Sequence, residues 1–265
     1  MPKPSTKSYV LQKLEQNKGS YITGMDLASE LGVSRNAIWK AINELKKDGY
    51  VIYSTNNKGY ALDEGSDILS VTAIKECLEN IRKSNSTKNN PDGKGAGRKK
   101  AVKSPVDNLV DSIIIYDELV STNQTAKMNL ITGAMDKKVI IARTQTGGIG
   151  HNKSSFDSPE GGIYMSIILD DISKNTSTNT PLKTSDIGQT VSEILEKLTG
   201  KKTSLDKKYN RISINKKVIC GILTEYFADL ETNTISGYVI GIGIKDIGIS
   251  KNMTVASILD ALNIQ

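Results

Sequence analysis

Apolar residues recur at intervals of three and four along the first part of the chain, at Val10, Leu11 and Leu14, then Met25, Leu27, Ala28 and Leu31, then Ile38, Ala41, Ile42 and Leu45. This spacing predicts three short helices. Thr23 stands where a hydroxyl would cap the second, Gly32 ends it, Ser34 begins the third, and Asp48-Gly49 closes that one. Tyr50 to Ser54 and Gly59 to Leu62 are strand-like and flank Asn56, Asn57 and Lys58, which form a hairpin turn. The order is helix, helix-turn-helix, wing, and it assigns residues 1–66 to a winged helix-turn-helix domain. From Ser112 onward the pattern alternates. Strands are predicted at Ile113 to Tyr116, Val139 to Ala142, Ile163 to Leu169, Ile222 to Glu225 and Tyr238 to Ile244, with helices near Asn123 to Leu130 and Ser185 to Leu198. Such mixing predicts an α+β domain over residues 112–265. Residues 67–111 form a connecting helix and then, from about Arg82 to Lys103, a run of Ser, Asn, Gly and Lys with almost nothing to bury. That run is expected to be a flexible basic linker, either a solvated tether or a salt-dependent phosphate contact.

Composition narrows the class. A chain of 265 residues with 37% hydrophobic content can bury a core in each of two domains. The formal charge of +6 supports a polyanionic partner without establishing one. Cys77 and Cys220 lie far apart among apolar neighbours, as reduced, packed thiols do, and suggest no metal site. No apolar run approaches the roughly 18 residues needed to span a bilayer, and Met1 to Pro4 has no signal core, so a cytoplasmic protein is expected.

Two regions carry candidate chemistry. In a helix-turn-helix the third helix enters the major groove, which assigns Ser34, Arg35, Asn36, Trp39 and Lys40 to base and phosphate contacts and Lys58 at the wing tip to a phosphate. Its rival use is protein contact or dimerisation, with Trp39 simply packed. Binding as a homodimer to paired half-sites of double-stranded DNA would add the area one small module lacks. In the second domain, Ser121, Thr122 and Asn123 fall at a strand-to-helix junction, where they either bind a small ligand or merely cap the helix. Gln145 opens a glycine-rich stretch with Gly147, Gly148 and Gly150. It looks like a phosphate loop without its charges, since only Lys153 is near.

Val33 to Ile42, Lys58 to Tyr60, Val120 to Asn123, Gln145 to Gly148, Ser158 to Ser166 and Cys220 to Glu225 together resemble, in order, the bacterial biotin protein ligases that double as biotin operon repressors. The resemblance implies a class II synthetase-like biotin/lipoate ligase domain after the winged helix, with the small C-terminal β domain missing or reduced to Thr254 to Gln265. It implies that Ser121, Thr122, Asn123 and Gln145 bond the biotin head group. Gly148, Ile149, Gly150 and His151 would fold over biotinyl-adenylate, and Lys207 would be the catalytic cation that holds the reacting carboxylate. Three departures stand out. The family's loop reads Gly-Arg-Gly-Arg-x-Gly-Arg, and its arginines fall on Ile149, His151 and Ser154. The family's Lys-Trp-Pro-Asn-Asp falls on residues 207–211, keeping Lys207 and Asn210 but placing Arg211 where Asp belongs. Lys245 replaces a usual asparagine. His151, the only histidine of the chain, is either a weak substitute for an arginine or a structural residue.

Adenylation crowds negative charge, and one lost donor typically costs about 3 kcal/mol. The implied function is therefore a repressor of biotin-related genes whose ligase-like domain senses biotin. The alternative is an active ligase that uses ATP and magnesium and biotinylates a lysine of biotin carboxyl carrier protein. A third reading replaces biotin by lipoate or an octanoyl group, because Tyr209 and Arg211 alter the pocket wall.

Overall fold

A computed structural model describes residues 5–47, 49–89, 109–134, 138–170, 184–229 and 234–262. The chain divides after Ile68 into two units.

In the first unit, α1 (Thr6–Gln16), α2 (Gly24–Leu31) and α3 (Arg35–Lys47) precede the hairpin β1 (Ile52–Thr55) and β2 (Gly59–Leu62). The Thr23 side chain accepts from the Asp26 N–H, and Gly32 takes the left-handed conformation at φ 69° that ends α2. The faces anticipated from the spacing meet: Val10, Leu14, Leu27, Ile38, Ile42 and Leu45 form one buried cluster, closed by Tyr50, Ile52 and Leu62.

In the second unit, seven strands form one sheet in the order β3-β4-β5-β9-β8-β7-β6. These are β3 (Ile113–Leu119), β4 (Val139–Gln145), β5 (Ile163–Asp170), β6 (Ser204–Asp206), β7 (Arg211–Ile214), β8 (Lys217–Asp229) and β9 (Thr234–Ile244). Only β3 and β4 run parallel, joined by α5 (Thr122–Thr132); every other pair is antiparallel. Alternation along the strands sorts the residues onto two faces. Val139, Ile141, Met165, Ile167, Ile222, Ile240 and Ile242 form a core with α4 (Val71–Asn89), α6 (Thr184–Thr199) and α7 (Lys251–Ala261). The other face packs Ile140, Ile168 and Val239 against Ala126 of α5. Beyond α5, among the described residues, that face carries no helix and meets only the loop that bears Phe156. Tyr164, Gly243 and Gly221 stand in one row across β5, β9 and β8, and Ser166, Gly241 and Leu223 in the next.

Three features differ from the sequence reading. The connecting helix α4 is part of the second unit's core, with Ile74 and Leu78 fully buried. It runs on through Asn89, and Arg82 pairs with Asp260 of α7 at 3.1 Å, so residues 82–89 are helix where a flexible linker was expected. The rest of that linker, from residue 90 to Lys103, lies outside the described residues. Residues 251–261, where a reduced β domain was one expectation, form α7, which buries Val255, Ile258 and Leu259.

Candidate functional site

The part of the sheet beyond α5 is the floor of a cavity of about 290 Å³. Small residues make it possible. A Cβ on Gly241 would lie 2.2 Å from Asn123 Oδ1, and one on Gly243 would lie 2.5 Å from the Phe156 ring, so both positions require glycine for close approach rather than for φ.

Ser121, Thr122 and Asn123 line one end of the cavity, held there by the start of α5. Ser121 also serves as the cap, accepting from the Gln124 N–H at 3.5 Å, so capping and pocket lining coexist. The Thr122 N–H and Oγ1 both donate to Gln145 Oε1, at 2.8 and 3.1 Å, and Gln145 Nε2 donates to Ser158 Oγ at 2.8 Å. Asn123 Nδ2 donates to Glu225 Oε2 at 2.9 Å, while Lys127 Nζ pairs with the other Glu225 oxygen at 2.8 Å. Ser166 Oγ sits 2.8 Å from Thr122 Oγ1 and 2.6 Å from Asn123 Oδ1 and can donate to one of them. This network fixes the rotamers of the polar wall. After these bonds are counted, the Ser121 hydroxyl proton and one N–H each of Asn123 and Gln145 are left for a ligand.

Ile149, Gly150 and His151 line the opposite side. Their loop bonds chiefly to itself: the Gly150 N–H donates to Ser154 O at 2.7 Å, the Phe156 N–H to Gly148 O at 2.8 Å, and Ser154 Oγ to His151 O at 2.8 Å. A short 3₁₀ turn over His151–Lys153 puts Asn152 and Lys153 at φ 54° and 59°. Gly148 lies outside the lining. A Cβ there would meet Phe156 O at 2.4 Å, so its role is to let the loop fold back on itself. Lys153 is exposed and outside the lining as well.

Lys207 departs furthest from its expected place. It is exposed in a turn and does not line the cavity. Asp206 Oδ1 accepts from the N–H groups of Lys208 and Tyr209 at 2.9 and 3.3 Å, a side-chain-closed turn that brings Tyr209 and Arg211 to the cavity instead. Tyr209 meets the His151 ring edge-on with centroids 6.1 Å apart, and the Arg211 guanidinium lies 5.7 Å from the centre of the Tyr209 ring. Tyr164 faces the cavity with its hydroxyl donating to Pro159 O at 2.6 Å. Burial, together with Asp157 and Asp246 nearby, pushes its phenol up to about 12.

Sequence reasoning assigned no role to Ser158, Ser166, Lys127 or Glu225. The signal for three of them lay within the recognised blocks Ser158 to Ser166 and Cys220 to Glu225, whose alternation places Ser166 and Glu225 on the pocket face. Among the described residues no cluster of three or more His, Cys, Asp or Glu could hold a metal ion, and no helix is long and apolar enough to cross a membrane.

On the first unit, Ser34, Arg35, Asn36, Trp39, Lys40 and Lys58 are all exposed. Trp39 keeps 54% of its surface in solvent, so it is not a packed core residue of this unit. Ser34 Oγ also caps α3, accepting from the Ala37 N–H at 3.2 Å.

Residues 6–61 match the family model of an HTH domain, and residues 115–245 that of the biotin/lipoate A/B protein ligase family. The chain is 31% identical over 237 residues to the bifunctional ligase/repressor BirA of Bacillus subtilis (strain 168), covering 89% of this chain and 63% of that protein. The values are the same for the protein of that name from Bacillus spizizenii. The chain thus spans less than two thirds of the length of these relatives. A solved structure of biotin acetyl coenzyme A carboxylase synthetase from Helicobacter pylori is 21% identical, with a TM-score of 0.49, over 57% of this chain and 73% of that one.

Proposed function

We propose that the chain, which joins a region matching the HTH-domain model to one matching the biotin/lipoate A/B protein ligase family model, is a transcriptional repressor of biotin-related genes whose second unit binds biotin as a signal. One observation carries this reading: the polar wall of the cavity is complete and pinned, while the loop and turn opposite it present no guanidinium or ammonium at Ile149, His151, Ser154 or Lys207. The three donors left over on Ser121, Asn123 and Gln145 suit the carbonyl oxygen of a ureido ring, and the glycine floor admits a flat ring and an aliphatic chain. A nucleotide fits less well. The loop gives the nucleotide's phosphates little, since it spends the Gly150 and Phe156 amides on its own carbonyls and carries no arginine, which leaves Arg211 and Lys245 as the cavity's cations.

On this reading biotin supplies no chemistry. It shifts the equilibrium between monomer and homodimer, and the dimer presents two recognition helices to paired half-sites of operator DNA. Arg35, Asn36 and Lys40 would read or grip the groove from α3, with Trp39 beside them, Ser34 at the helix start and Lys58 on the wing. ATP, magnesium and the carrier protein enter only if ligase activity is retained. Titration calorimetry with biotin, alone and with ATP, tests the reading: micromolar or tighter biotin binding that ATP leaves unchanged is expected. Carrier labelling in the presence of biotin, ATP and magnesium would favour the ligase instead. Arg35→Ala should weaken operator binding by about 1–3 kcal/mol in a mobility-shift assay if its side chain reaches a base edge.

A further inference from the structure

We propose that Arg211 and Lys245 together hold the acid group of the pocket's ligand, in place of the lysine and loop arginines that the sequence pattern leads one to expect. This rests on the reading of the cavity as a small-acid site but not on the acid being biotin. Both residues line the same cavity as Thr122, Asn123 and Gln145. Arg211 starts β7, and Lys245 follows directly after β9. Among the described residues neither forms an ion pair with a protein carboxylate. Arg211 is oriented by Tyr209, and the Lys245 backbone is anchored by its N–H donating to Ile219 O at 2.8 Å.

The other titratable groups on the lining are Asp157, His151, Tyr164 and Tyr209. Two cations against one carboxylate leave the cavity with an excess of positive charge. The polarity is therefore graded: neutral amide and hydroxyl donors at one end, glycine and aliphatic groups along the floor, and two cations contributed by the ends of β7 and β9. A ligand with a neutral polar head, an apolar body and a carboxylate matches that grading. The sequence departs from the family pattern toward positive charge at Lys153, Lys208, Arg211 and Lys245, and of these only Arg211 and Lys245 line the cavity. Arg211 provides a planar fork suited to a carboxylate, and Lys245 a point charge.

The test compares acids with their uncharged amides: biotin against biotinamide, and lipoate against lipoamide, titrated calorimetrically into the full chain. The wild-type protein should prefer at least one acid over its amide by about tenfold or more, as expected for a charge-assisted hydrogen bond. Arg211→Ala and Lys245→Ala should each reduce that preference, and the double variant should bind acid and amide alike. Arg211→Lys should restore part of it, and Lys207→Ala should leave it intact. Equal affinity for acid and amide in the wild type, or an undiminished preference in the double variant, would overturn the assignment even if biotin binds. Preference for lipoate over lipoamide without biotin binding would refute the biotin reading and uphold the assignment. Failure of every acid to bind would overturn both.

Discussion

The two sides of the pocket are built on different principles. On the α5 side, each polar side chain is bonded to another that is itself bonded: Thr122 to Gln145, Gln145 to Ser158, Asn123 to Glu225, and Glu225 to Lys127. On the loop side, residues 147–156 fold on themselves through backbone bonds and offer Ile149 and the His151 ring. A preorganised wall can select a ligand, because ligand binding does not have to order it. A loop whose one cation, Lys153, lies outside the lining is poorly equipped to stabilise an adenylating transition state, which calls for several donors aimed at the developing charge. On the proposed function, the pocket separates recognition, assigned to the pinned wall, from activation, for which the loop supplies no arginine.

Changes on the preorganised side should do the most harm. Gly241→Ala drives a methyl group into Asn123, displacing it from Glu225 and Ser166. We expect about 1–3 kcal/mol of lost stability from overpacking. Biotin affinity should fall at least about tenfold, the equivalent of 1.4 kcal/mol. Thermal unfolding and calorimetry read the two effects. Glu225→Ala strips partners from both Asn123 and Lys127 and should cost about 1–2 kcal/mol, while Glu225→Gln, which can still accept from Asn123, should cost less. Equal losses in the two variants would show that the wall does not depend on this acceptor.

Tyr164 gives a pH signature at the floor. Its phenol is raised from 10.0 to about 12, so the folded state binds the proton more tightly than the unfolded chain does. The stability that this adds is complete below about pH 10 and is lost as pH rises through about 12. Phenolate absorbance at 295 nm should show a component titrating near 12 that is missing in Tyr164→Phe, whose alkaline unfolding should begin at a higher pH. On the loop side, Ile149→Ala and His151→Ala should change biotin affinity by less than about threefold, within the range of ordinary surface substitutions. A loss of tenfold or more in either would make the loop part of recognition and erase the contrast.

The wing unit was legible because its local signals agreed. Thr23 and Gly32 cap and end α2 where the apolar spacing also begins and stops. The strands of the second unit were legible from apolar runs, as were α5 and α6. β6 and β7 were not: Ser204–Asp206 and Arg211–Ile214 are as short as the wing strands but lack the run of adjacent apolar residues that marked those. α7 was missed for a different reason: it buries Asn252, Thr254, Val255, Ala256, Ile258 and Leu259, residues spread around the helix, and so shows no stripe. Ser121, Thr122, Asn123 and Gln145, named by resemblance, lie on the cavity lining, whereas Lys207 does not. Its direction is set by Asp206 closing a turn, a contact that no spacing rule reveals. Arg211 and Lys245 were visible only as departures until the sheet brought them to one cavity.

The most direct test follows a single preparation of the full chain through both steps, measuring biotin binding by calorimetry and biotinyl-adenylate formation by pyrophosphate release with ATP and magnesium. Saturable biotin binding with pyrophosphate release at least about a hundredfold below that of a ligase carrying the arginine loop is the predicted result. Release at a rate equal to that of such a ligase would contradict the separation of recognition from activation.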